Sequence, residues 1–502
     1  MTLMTTTNSL KSADMTDANA TPPTSAAGGS TSSGRAAVVI GGGLAGLAAA
    51  LRLSESGVRT TLVETRKKLG GRATSFVEPG SDDVLDNCQH VLLGCCTNLI
   101  DFYDRLGVSD LIEWHRKLYF CDATGRIDTL TGDPLPAPCH LSRSLWTFGS
   151  LSFRDKMSIS RGMLAMMRAS KAARKMWHDM SFADWLAAHK QTPGATQTFW
   201  APVIVSALNE TIDRVAADYA IQVFEEGLLA HRRSYQMGLA KTPLVELYDA
   251  AAAALQQAGG QVMTGASAES LTFNGERITS LKLGDGTSLQ GHVYVAALPF
   301  DRLDKIAPPE LKRHDTRLQA LDQFEVSPIL GVHLWFDQPV MDLPHLTLTA
   351  SPLQWIFNKG IEADSEGKRR QHLHGVISAA HDLVNQSADD IAEMVVAEVR
   401  KALPGDAAKQ ATLLRHRVIK EKRATFSLKP GVDRIRPKAA GVTKNLLLAG
   451  DWTDSGWPAT MEGAVRSGYL AAAAALVAMG VTHDVDVAAN LKPSLLFRMV
   501  SR

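Results

Sequence analysis

A glycine-rich stretch near the amino end of the chain has the residue types and spacing that bind a nucleotide pyrophosphate. Residues 38–64 read VVIGGGLAGLAAALRLSESGVRTTLVE and contain Gly41, Gly43 and Gly46. Glycines with this spacing permit a tight turn, close approach of the backbone to a pyrophosphate and close packing of the following helix. The helix N-terminus supplies free N–H groups to the anion. Glu64 ends the second predicted strand, where an acid accepts hydrogen bonds from a ribose and repels a 2′-phosphate, so NADP is disfavoured.

A second glycine motif follows directly. The sequence KKLGGRATS places Gly70, Gly71 and Arg72 just beyond Glu64. Two glycines allow another close approach of backbone and ligand, and an arginine can pair with phosphate through two N–H groups. The alternative is a surface turn with a solvated arginine. The first motif alone does not separate FAD from NAD, but the added glycine pair disfavours a soluble NAD dehydrogenase.

Three elements must position these residues. The apolar, β-branched run 36–40 predicts a buried parallel strand, residues 44–53 predict a helix, and residues 59–63 predict a second strand. Together they form one βαβ unit, which is the structural context that a dinucleotide-binding glycine motif requires.

The carboxyl end of the chain contains another strand, loop and helix. Residues 446–448 predict a buried strand that ends in Gly450 and Asp451, and Thr460 is a candidate N-cap for a helix that includes Gly463. A helix N-terminus aimed at a flavin pyrimidine would stabilise the anionic reduced flavin. A core helix of a doubly wound domain is the alternative, and composition leaves both open.

Bulk composition excludes several classes of protein. The chain has 502 residues, 45% of them hydrophobic, and a formal net charge of +1. This size predicts two connected domains, and the charge balance argues against nucleic-acid binding. Five cysteines without a C-x-x-C pair predict neither a disulfide scaffold nor a metal site. Residues 1–34 are rich in Ser, Thr, Ala and Gly and predict a disordered tail, not a signal peptide.

The two ends of the chain together resemble the amine-oxidase and phytoene-desaturase-like FAD flavoproteins. The resemblance is carried by the first motif with its GGR continuation and by LAGDWT…PATMEGAVRSG near the carboxyl end. It implies an α/β fold in which a Rossmann-like FAD-binding domain is split in sequence and an α+β substrate-binding domain is inserted. It also implies non-covalent FAD, because this C-terminal stretch lacks the flavin-linking cysteine of covalent amine oxidases. The residues that match the family's cofactor positions are Gly41, Gly43, Gly46, Glu64, Gly70, Gly71, Arg72, Ala268, Gly450, Asp451, Met461, Glu462 and Gly463.

Three internal stretches are similar to the hydroxysqualene dehydroxylases of bacterial hopanoid pathways. They are LDNCQHVLLGCCTNLIDFYDRLG (85–107), FWAPVIVSALNE (199–210) and KRATFSLKPG (422–431). The resemblance implies reduction of hydroxysqualene to squalene by hydride transfer from reduced FAD, with loss of water. It further implies a C30 isoprenoid alcohol as substrate, an unidentified flavin reductant, neighbouring squalene-pathway enzymes as partners, and a cytoplasmic location on the inner face of the cytoplasmic membrane.

The departing oxygen needs a proton donor, and the first of these stretches contains Asp86, Gln89 and His90. Such stretches approach the flavin in the desaturase-like family. His90 is the preferred donor because an imidazolium can donate near neutral pH, and a structural histidine is the alternative. Asn209 and Glu210 end the second stretch and are expected to face the same cavity.

Other functions stay open at this point. An oxidative desaturase or isomerase acting on a carotenoid precursor and a flavin-binding scaffold without turnover both fit the cofactor motifs. A flavin amine oxidase would need an aromatic pair beside the flavin, for which the C-terminal loop offers Trp452 and Trp457.

The stretch 161–177 predicts a helix whose methionines and Trp177 fall near one stripe and whose Arg161, Arg168 and Lys175 repeat every seven residues. Such a helix can lie on an anionic membrane surface, or it can face the core with solvated cations.

The predicted domains are an FAD-binding domain (35–105, 230–300 and 412–480), a substrate-binding domain (106–229 and 301–411) and a C-terminal tail (481–502).

Overall fold

The computed structural model describes residues 34–80, 83–363, 367–403, 405–482 and 485–501. The predicted disordered tail, residues 1–34, lies outside this part except for Gly34. In chain order, the strands of the described part are β1 (Ala36–Ile40), β2 (Arg59–Glu64), β3 (Ser75–Val77), β4 (Val84–Asp86), β5 (Val91–Leu93), β6 (Ile112–His115), β7 (Lys117–Cys121), β8 (Ile127–Thr131), β9 (Met237–Ala240), β10 (Gln261–Thr264), β11 (Ala268–Phe273), β12 (Ile278–Leu283), β13 (Ser288–Leu289), β14 (Val293–Ala296), β15 (Val326–Phe336), β16 (His345–Leu348), β17 (Trp355–Ala363), β18 (Arg369–Ser378), β19 (Leu413–Phe426) and β20 (Leu446–Leu448). The α-helices of the same part are α1 (Leu44–Glu55), α2 (Thr97–Leu106), α3 (Ser142–Thr147), α4 (Phe153–Met167), α5 (Lys171–Trp177), α6 (Phe182–Ala188), α7 (Pro193–Ala195), α8 (Ala201–Leu208), α9 (Ala217–Phe224), α10 (Leu244–Gln257), α11 (Phe300–Ile306), α12 (Pro309–His314), α13 (Ala388–Ala402), α14 (Asp406–Gln410), α15 (Met461–Met479) and α16 (Leu495–Val500).

A five-stranded sheet carries the two ends of the chain. Its strands run in the order β10–β2–β1–β14–β20, and every neighbouring pair is parallel. Parallel strands need crossovers that cover the faces of the sheet, which explains why every residue of β1 is buried. The predicted βαβ unit of β1, α1 and β2 and the Rossmann-like fold class are confirmed.

Helix α15 packs against α1, and a glycine makes this approach possible. A Cβ on Gly468 would lie 2.3 Å from the carbonyl oxygen of Ala45, so a larger residue would push the two helices apart. Both helices follow strands of the same parallel sheet, so their N-termini face its carboxyl edge, where ligands of such sheets bind.

A seven-stranded mixed sheet forms the second part of the fold, in the order β19–β15–β18–β17–β16–β7–β8. Leu330, Val332 and Leu334 alternate along β15 and pack in one apolar cluster with residues of α13, which leaves the other face of the sheet for the site. Residues 413–426 form β19 of this sheet, although the sequence analysis placed them in the FAD-binding domain. Antiparallel pairing with β15 over most of its length decides the position of β19, and local sequence does not reveal such pairing.

The predicted single helix over residues 161–177 is two helices in the structure. The second begins because Ser170 accepts a hydrogen bond from a backbone N–H of the next turn. Met166, Met167 and Trp177 are buried in the core, which agrees with the core-facing alternative and not with a membrane-binding stripe of these residues. No helix in the described ranges is both long and apolar enough to cross a bilayer.

The described part of the predicted C-terminal tail, residues 481–502, contains a helix that packs on the rest of the protein. Helix α16 buries Phe497, and Ser494 caps its start. Upstream, the Ala488 N–H donates to the Asn98 side-chain oxygen at 2.8 Å. Burial of one aromatic side chain and these hydrogen bonds attach the segment to the rest of the protein.

Candidate active site

The first glycine motif forms a backbone cradle at the carboxyl end of β1. Gly41 has a φ of +109°, and its Cβ would lie 2.4 Å from the Ala297 carbonyl oxygen. A Cβ on Gly46 would lie 1.8 Å from the Gly41 carbonyl oxygen. Gly43 precedes α1 without a side-chain cap, and no acidic residue occupies the first turn of this helix. The first N–H groups of α1 are therefore available to an anion.

The second glycine motif lies directly against the first. The Gly70 N–H donates to the Gly42 carbonyl oxygen at 2.9 Å. Gly71 has a φ of +63°, and its Cβ would stand 2.9 Å from the Gly43 Cα. The two motifs together form one surface without side chains, as the close approach of a pyrophosphate requires.

Glu64 ends β2 beside this surface. Its carboxylate accepts hydrogen bonds from the Gly42 N–H and from the Arg66 N–H, each at 2.7 Å, while the side chain stays partly exposed. The predicted adenine contact, Ala268, begins β11. The turn before it is attached to the end of β2, because the Ala266 N–H donates to the Glu64 carbonyl oxygen at 3.0 Å. The ribose and adenine roles of Glu64 and Ala268 stay predictions.

Arg72 and Asp451, predicted cofactor residues from opposite ends of the chain, meet in the structure. An Arg72 Nη lies 2.5 Å from the Asp451 carboxylate, and the other Nη donates to the Ala424 carbonyl oxygen at 2.9 Å. Burial lowers the pKa of Arg72 and the Asp451 carboxylate raises it, with a net rise. Asp451 is only 4% exposed, so Arg72 neutralises a buried charge here, and its pairing with phosphate stays a prediction.

A buried arginine that the sequence analysis missed holds the loop after Asp451. Arg436 donates to the carbonyl oxygens of Thr453 at 2.5 Å and Trp457 at 2.7 Å. It also contacts the Tyr219 hydroxyl. No motif marks this arginine, because its acceptors are backbone atoms of a distant loop.

The start of α15 agrees with the predicted cap. The Thr460 hydroxyl accepts a hydrogen bond from the Gly463 N–H at 3.1 Å. Among the described residues, the N–H groups of Met461 and Glu462 have no hydrogen-bond acceptor and stand at the positive end of the helix. Gly450, with a φ of +140°, adopts a conformation that favours glycine at the end of the preceding strand.

The Glu462 side chain points away from this helix end. Its two carboxylate oxygens accept hydrogen bonds from the backbone N–H groups of Asn98 at 3.2 Å and Leu99 at 2.8 Å. Burial raises the pKa of Glu462, and these hydrogen bonds oppose the rise. The carboxylate therefore caps α2, and only the backbone of Glu462 is left for the predicted cofactor contact.

The sequence predicted no metal site, and in the described part of the chain the structure brings a His–Asp–Asp group together. His178 Nδ1 lies 2.6 Å from Asp218 and 2.7 Å from Asp433. Asp433 also contacts the Tyr219 hydroxyl, which contacts Arg436. The group thus joins α5, α9 and the loop that precedes Arg436.

The candidate catalytic segment, residues 86–90, crosses the free face of the seven-stranded sheet. The Asp86 carbonyl oxygen accepts a hydrogen bond from His333 Nε2 at 3.0 Å. Gly331 makes this approach possible, since a Cβ there would lie 2.9 Å from the Asn87 carbonyl oxygen. Side chains of the sheet therefore contact residues 86–90, the segment that contains the predicted proton donors.

The Asp86 carboxylate is buried and acts as an acceptor. It receives hydrogen bonds from the Ser75 hydroxyl at 2.7 Å and from the Leu244 N–H at 3.0 Å. Its second oxygen lies 3.4 Å from Lys359 Nζ. These partners favour a positioning role over the predicted role as proton donor.

His90 is held as a neutral ring. Its Nδ1 lies 3.0 Å from the Cys88 carbonyl oxygen, so Nδ1 carries the proton and Nε2 is an acceptor. Burial lowers the pKa of His90. The neutral imidazole therefore predominates at neutral pH, which removes the reason for preferring His90 as an imidazolium donor.

Lys359 was missed by the sequence analysis and contacts the same segment. Its Nζ lies 3.4 Å from the Asp86 carboxylate and 3.2 Å from the Gln89 side-chain oxygen. A β-bulge between residues 358 and 360 leaves Lys359 outside the regular pairing of β17 with β18. Bulges re-aim side chains and occur next to active sites. No local pattern in WIFNKGIEA marks this lysine.

Three buried histidines of the sheet lie around this contact. His333 Nδ1 is 2.9 Å from His372 Nε2, and the rings of His333 and His374 stack with their centroids 3.9 Å apart. Burial lowers the pKa of His333 to about 4 and that of His372 to about 2, and it lowers the pKa of His374 well below its usual value. All three rings are therefore neutral at neutral pH.

The same sheet face is apolar next to this polar group. Cys88, Phe357 and Val376 form a small buried cluster, against which Ile329 and Trp355 pack. The rings of Trp355 and Phe357 stack with their centroids 5.3 Å apart. This side of the sheet is therefore apolar beside the contact of Lys359 with Asp86.

Asn209 and Glu210, which were expected to face the same cavity, are buried and engaged elsewhere. Asn209 donates to the Ser327 carbonyl oxygen at 3.1 Å. Glu210 accepts from His381 at 2.9 Å and from the Ser427 hydroxyl at 2.5 Å. These contacts join the end of α8 to the seven-stranded sheet, and none of them involves residues 86–90.

Comparison with known proteins agrees with the cradle and the fold. A family model described as flavin containing amine oxidoreductase matches residues 44–476. The chain belongs to this family of flavin oxidoreductases, and its cofactor is FAD. The side-chain-free surface of the two glycine motifs, where a Cβ on Gly71 would meet Gly43, fits the FAD pyrophosphate.

Two curated relatives are similar to this chain over most of their own length. A 15-cis-phytoene desaturase of Synechococcus elongatus is 27% identical over 449 residues, covering 86% of this chain and 94% of the relative. A hydroxysqualene dehydroxylase of Rhodopseudomonas palustris is 28% identical over 445 residues, covering 87% of this chain and 97% of the relative.

Solved structures show the same fold. An oxidoreductase from Methanosarcina mazei superposes with a TM-score of 0.66 at 18% identity, covering 86% of this chain and 98% of its own. Cyclohexylamine oxidase from Brevibacterium oxydans superposes with a TM-score of 0.62 at 17% identity, covering 89% of this chain and 100% of its own.

Proposed function

We propose that the protein reduces the C30 allylic alcohol hydroxysqualene to squalene, with loss of water. The single observation that carries this proposal is the mixed face of the seven-stranded sheet. Phe357 and Val376 line its apolar part, and Lys359 stands in its polar part next to Asp86. A buried charge is costly in a site for a pure hydrocarbon, whereas an alcohol gives it a partner.

Bound FAD, when reduced, supplies the hydride that replaces the hydroxyl group. The chain's own residues bind the hydrocarbon, exclude water and hold hydrogen-bond donors where the oxygen departs. The similarity to the hydroxysqualene dehydroxylase of Rhodopseudomonas palustris supports this substrate class.

An oxidative desaturase acting on a phytoene-like polyene is the second candidate. It is supported by similarity to the 15-cis-phytoene desaturase and by His90, whose Nε2 is an acceptor. An acceptor suits removal of a proton from a hydrocarbon.

The amine oxidase alternative has less support. Trp452 and Trp457, the candidate aromatic pair, are both buried. The Trp452 ring nitrogen donates to the Leu298 carbonyl oxygen at 2.9 Å, and its ring packs on Phe300 and Phe324. These contacts engage the ring and the polar atom of Trp452 within the protein.

We further propose peripheral contact with the inner face of the cytoplasmic membrane, where the hydrocarbon substrate dissolves. The predicted stripe on residues 161–177 is not available, but Trp146 and Phe153 are 43% and 72% exposed and contact each other. Lys156 donates to the Trp146 carbonyl oxygen at 2.7 Å. Exposed aromatic rings beside a cation are typical of surfaces that enter an anionic membrane interface. Non-covalent FAD, a separate flavin reductant and neighbouring pathway enzymes belong to the same proposal.

The deciding experiment uses the FAD-loaded protein without oxygen. The flavin is photoreduced, hydroxysqualene is added in detergent, the blue flavin absorbance is followed, and the lipid is extracted for mass analysis. Return of the oxidised flavin band with a matching amount of squalene is the expected result. A flavin that stays reduced with unchanged alcohol contradicts the proposal, and turnover of phytoene by the oxidised protein would establish the second candidate.

A further inference from the structure

The ammonium group of Lys359 has hydrogen-bonding capacity left over. An ammonium has three N–H donors, and its acceptors in the described part of the chain are the Asp86 carboxylate at 3.4 Å and the Gln89 oxygen at 3.2 Å. Both distances are long for a charged hydrogen bond. The side chain is 23% exposed, so the nitrogen is neither locked in a tight ion pair nor free in solvent.

The other polar groups around residues 86–90 are poor proton donors. Asp86 accepts hydrogen bonds from Ser75 and Leu244. His333 uses Nε2 for the Asp86 carbonyl oxygen and Nδ1 for His372. His90 uses its N–H for the Cys88 carbonyl oxygen. Lys359 supplies the cation that contacts the Asp86 carboxylate and the Gln89 side chain.

The apolar part of the sheet lies next to Lys359 along the same strand. Trp355 and Phe357 share one face of β17, where Phe357 packs against Cys88. Lys359 stands in the bulge after them and contacts Asp86 and Gln89, which flank Cys88 in the same segment. Trp355 is partly exposed, and a hydrocarbon that packs against it would bring a neighbouring hydroxyl group toward the ammonium.

From this juxtaposition, and resting on the proposed function, we propose that Lys359 is a catalytic residue that donates a hydrogen bond and then a proton to the departing oxygen of the allylic alcohol. The carbon–oxygen bond breaks, and the oxygen leaves as water with the proton from Nζ. The allylic carbon gains the hydride that the reduced cofactor supplies. The lysine becomes a neutral amine and regains its proton from solvent, so alcohol, hydride and one proton give hydrocarbon and water.

The test compares the binding of the alcohol with the binding of the hydrocarbon. Lys359→Met removes the charge at similar length, and Lys359→Arg keeps charge and donors. Lys117→Met is the matched control, because Lys117 is exposed on another strand of the same sheet. Each FAD-loaded, oxidised variant is titrated with hydroxysqualene and with squalene in the same detergent, and the flavin absorbance change is read. Retention of FAD and the thermal unfolding midpoint verify folding.

The expected result is that Lys359→Met binds hydroxysqualene about 10- to 100-fold more weakly while its squalene affinity is unchanged, since hydrogen bonds to charged groups contribute this much. The hydroxysqualene affinities of Lys359→Arg and Lys117→Met should stay within about threefold of the wild-type affinity, because both variants keep a charged donor at position 359. If wild type prefers the alcohol and Lys359→Met keeps that preference, the role of Lys359 is wrong and the proposed function stands. If wild type binds both ligands equally, no group recognises the hydroxyl and the role of Lys359 is wrong, while the flavin reoxidation assay alone decides the proposed function.

Discussion

Arg72 Nη lies 2.5 Å from the Asp451 carboxylate, although 379 positions separate the two residues in the chain. Each belongs to a motif that was assigned to the cofactor from sequence. The ion pair joins the loop after the second glycine motif to the loop that follows β20. We therefore expect FAD binding to depend on both ends of the chain being in place.

Asp451→Asn should weaken FAD binding. Loss of the charge leaves the guanidinium of Arg72 with an uncharged amide and loosens both loops, so we expect the Kd for FAD to rise at least about tenfold. Titration of the apoprotein with FAD, followed by flavin fluorescence, measures the change. Asp342→Asn, at an exposed position, is the control, and an unchanged Kd for Asp451→Asn would show that the pair is not needed to hold the cofactor.

Glu462→Ala should destabilise the protein more than Glu462→Gln. Alanine leaves the buried N–H groups of Asn98 and Leu99 without their acceptor, which costs about 1–3 kcal/mol for such a group. Glutamine keeps an acceptor and avoids burying a charge. Chemical denaturation of the two variants gives the comparison, and equal losses in free energy of unfolding would contradict the capping role.

Stability should depend on pH through His333. Its pKa is about 4 in the folded protein and 6.5 in an unfolded chain. Between pH 6.5 and about 4, the unfolded chain therefore binds a proton at this histidine and the folded protein does not. The contribution of His333 to the free energy of unfolding is complete above pH 6.5 and is lost as the pH falls toward 4. The contribution amounts to about 3 kcal/mol at most.

Urea denaturation between pH 7.5 and 4.5, roughly the window that this linkage defines, measures this slope. His333→Gln should reduce it, with the rest coming from His372 and His374, and His314→Gln, at an exposed position, should leave it as in wild type. A slope that is identical in wild type and His333→Gln would rule out the buried neutral ring as its source.

Trp146 and Phe153 should anchor the protein on anionic membranes. The double variant Trp146→Ser/Phe153→Ser should sediment with phosphatidylglycerol-containing vesicles much less than wild type, because aromatic side chains contribute most of the apolar area available for insertion at this site. Val477→Ser is the control, since Val477 is 81% exposed on α15. If Val477→Ser loses as much vesicle binding as the double variant, the effect is non-specific. If the double variant loses no vesicle binding, the membrane contact lies elsewhere.

The cofactor cradle could be predicted from the sequence because its requirements are local. At Gly41, Gly46 and Gly71 the backbone turns, or another main-chain atom lies so close that a Cβ would collide with it. Only glycine meets these requirements, so their spacing within a strand–helix–strand pattern determined the fold class and the dinucleotide site. Thr460 could be placed as a helix cap for the same reason, since its hydroxyl serves an N–H three residues away.

The substrate side of the site was decided by tertiary structure. Lys359 reaches Asp86 across 273 positions, through a bulge in one strand and the crossing of another segment over the sheet. Glu462 looked like a flavin contact beside its glycine, yet its side chain caps a helix that begins more than three hundred residues earlier. The spacing of residues in the sequence indicates where the backbone turns, packs closely or is capped. The partners of a charged side chain depend instead on which strands and helices pack together.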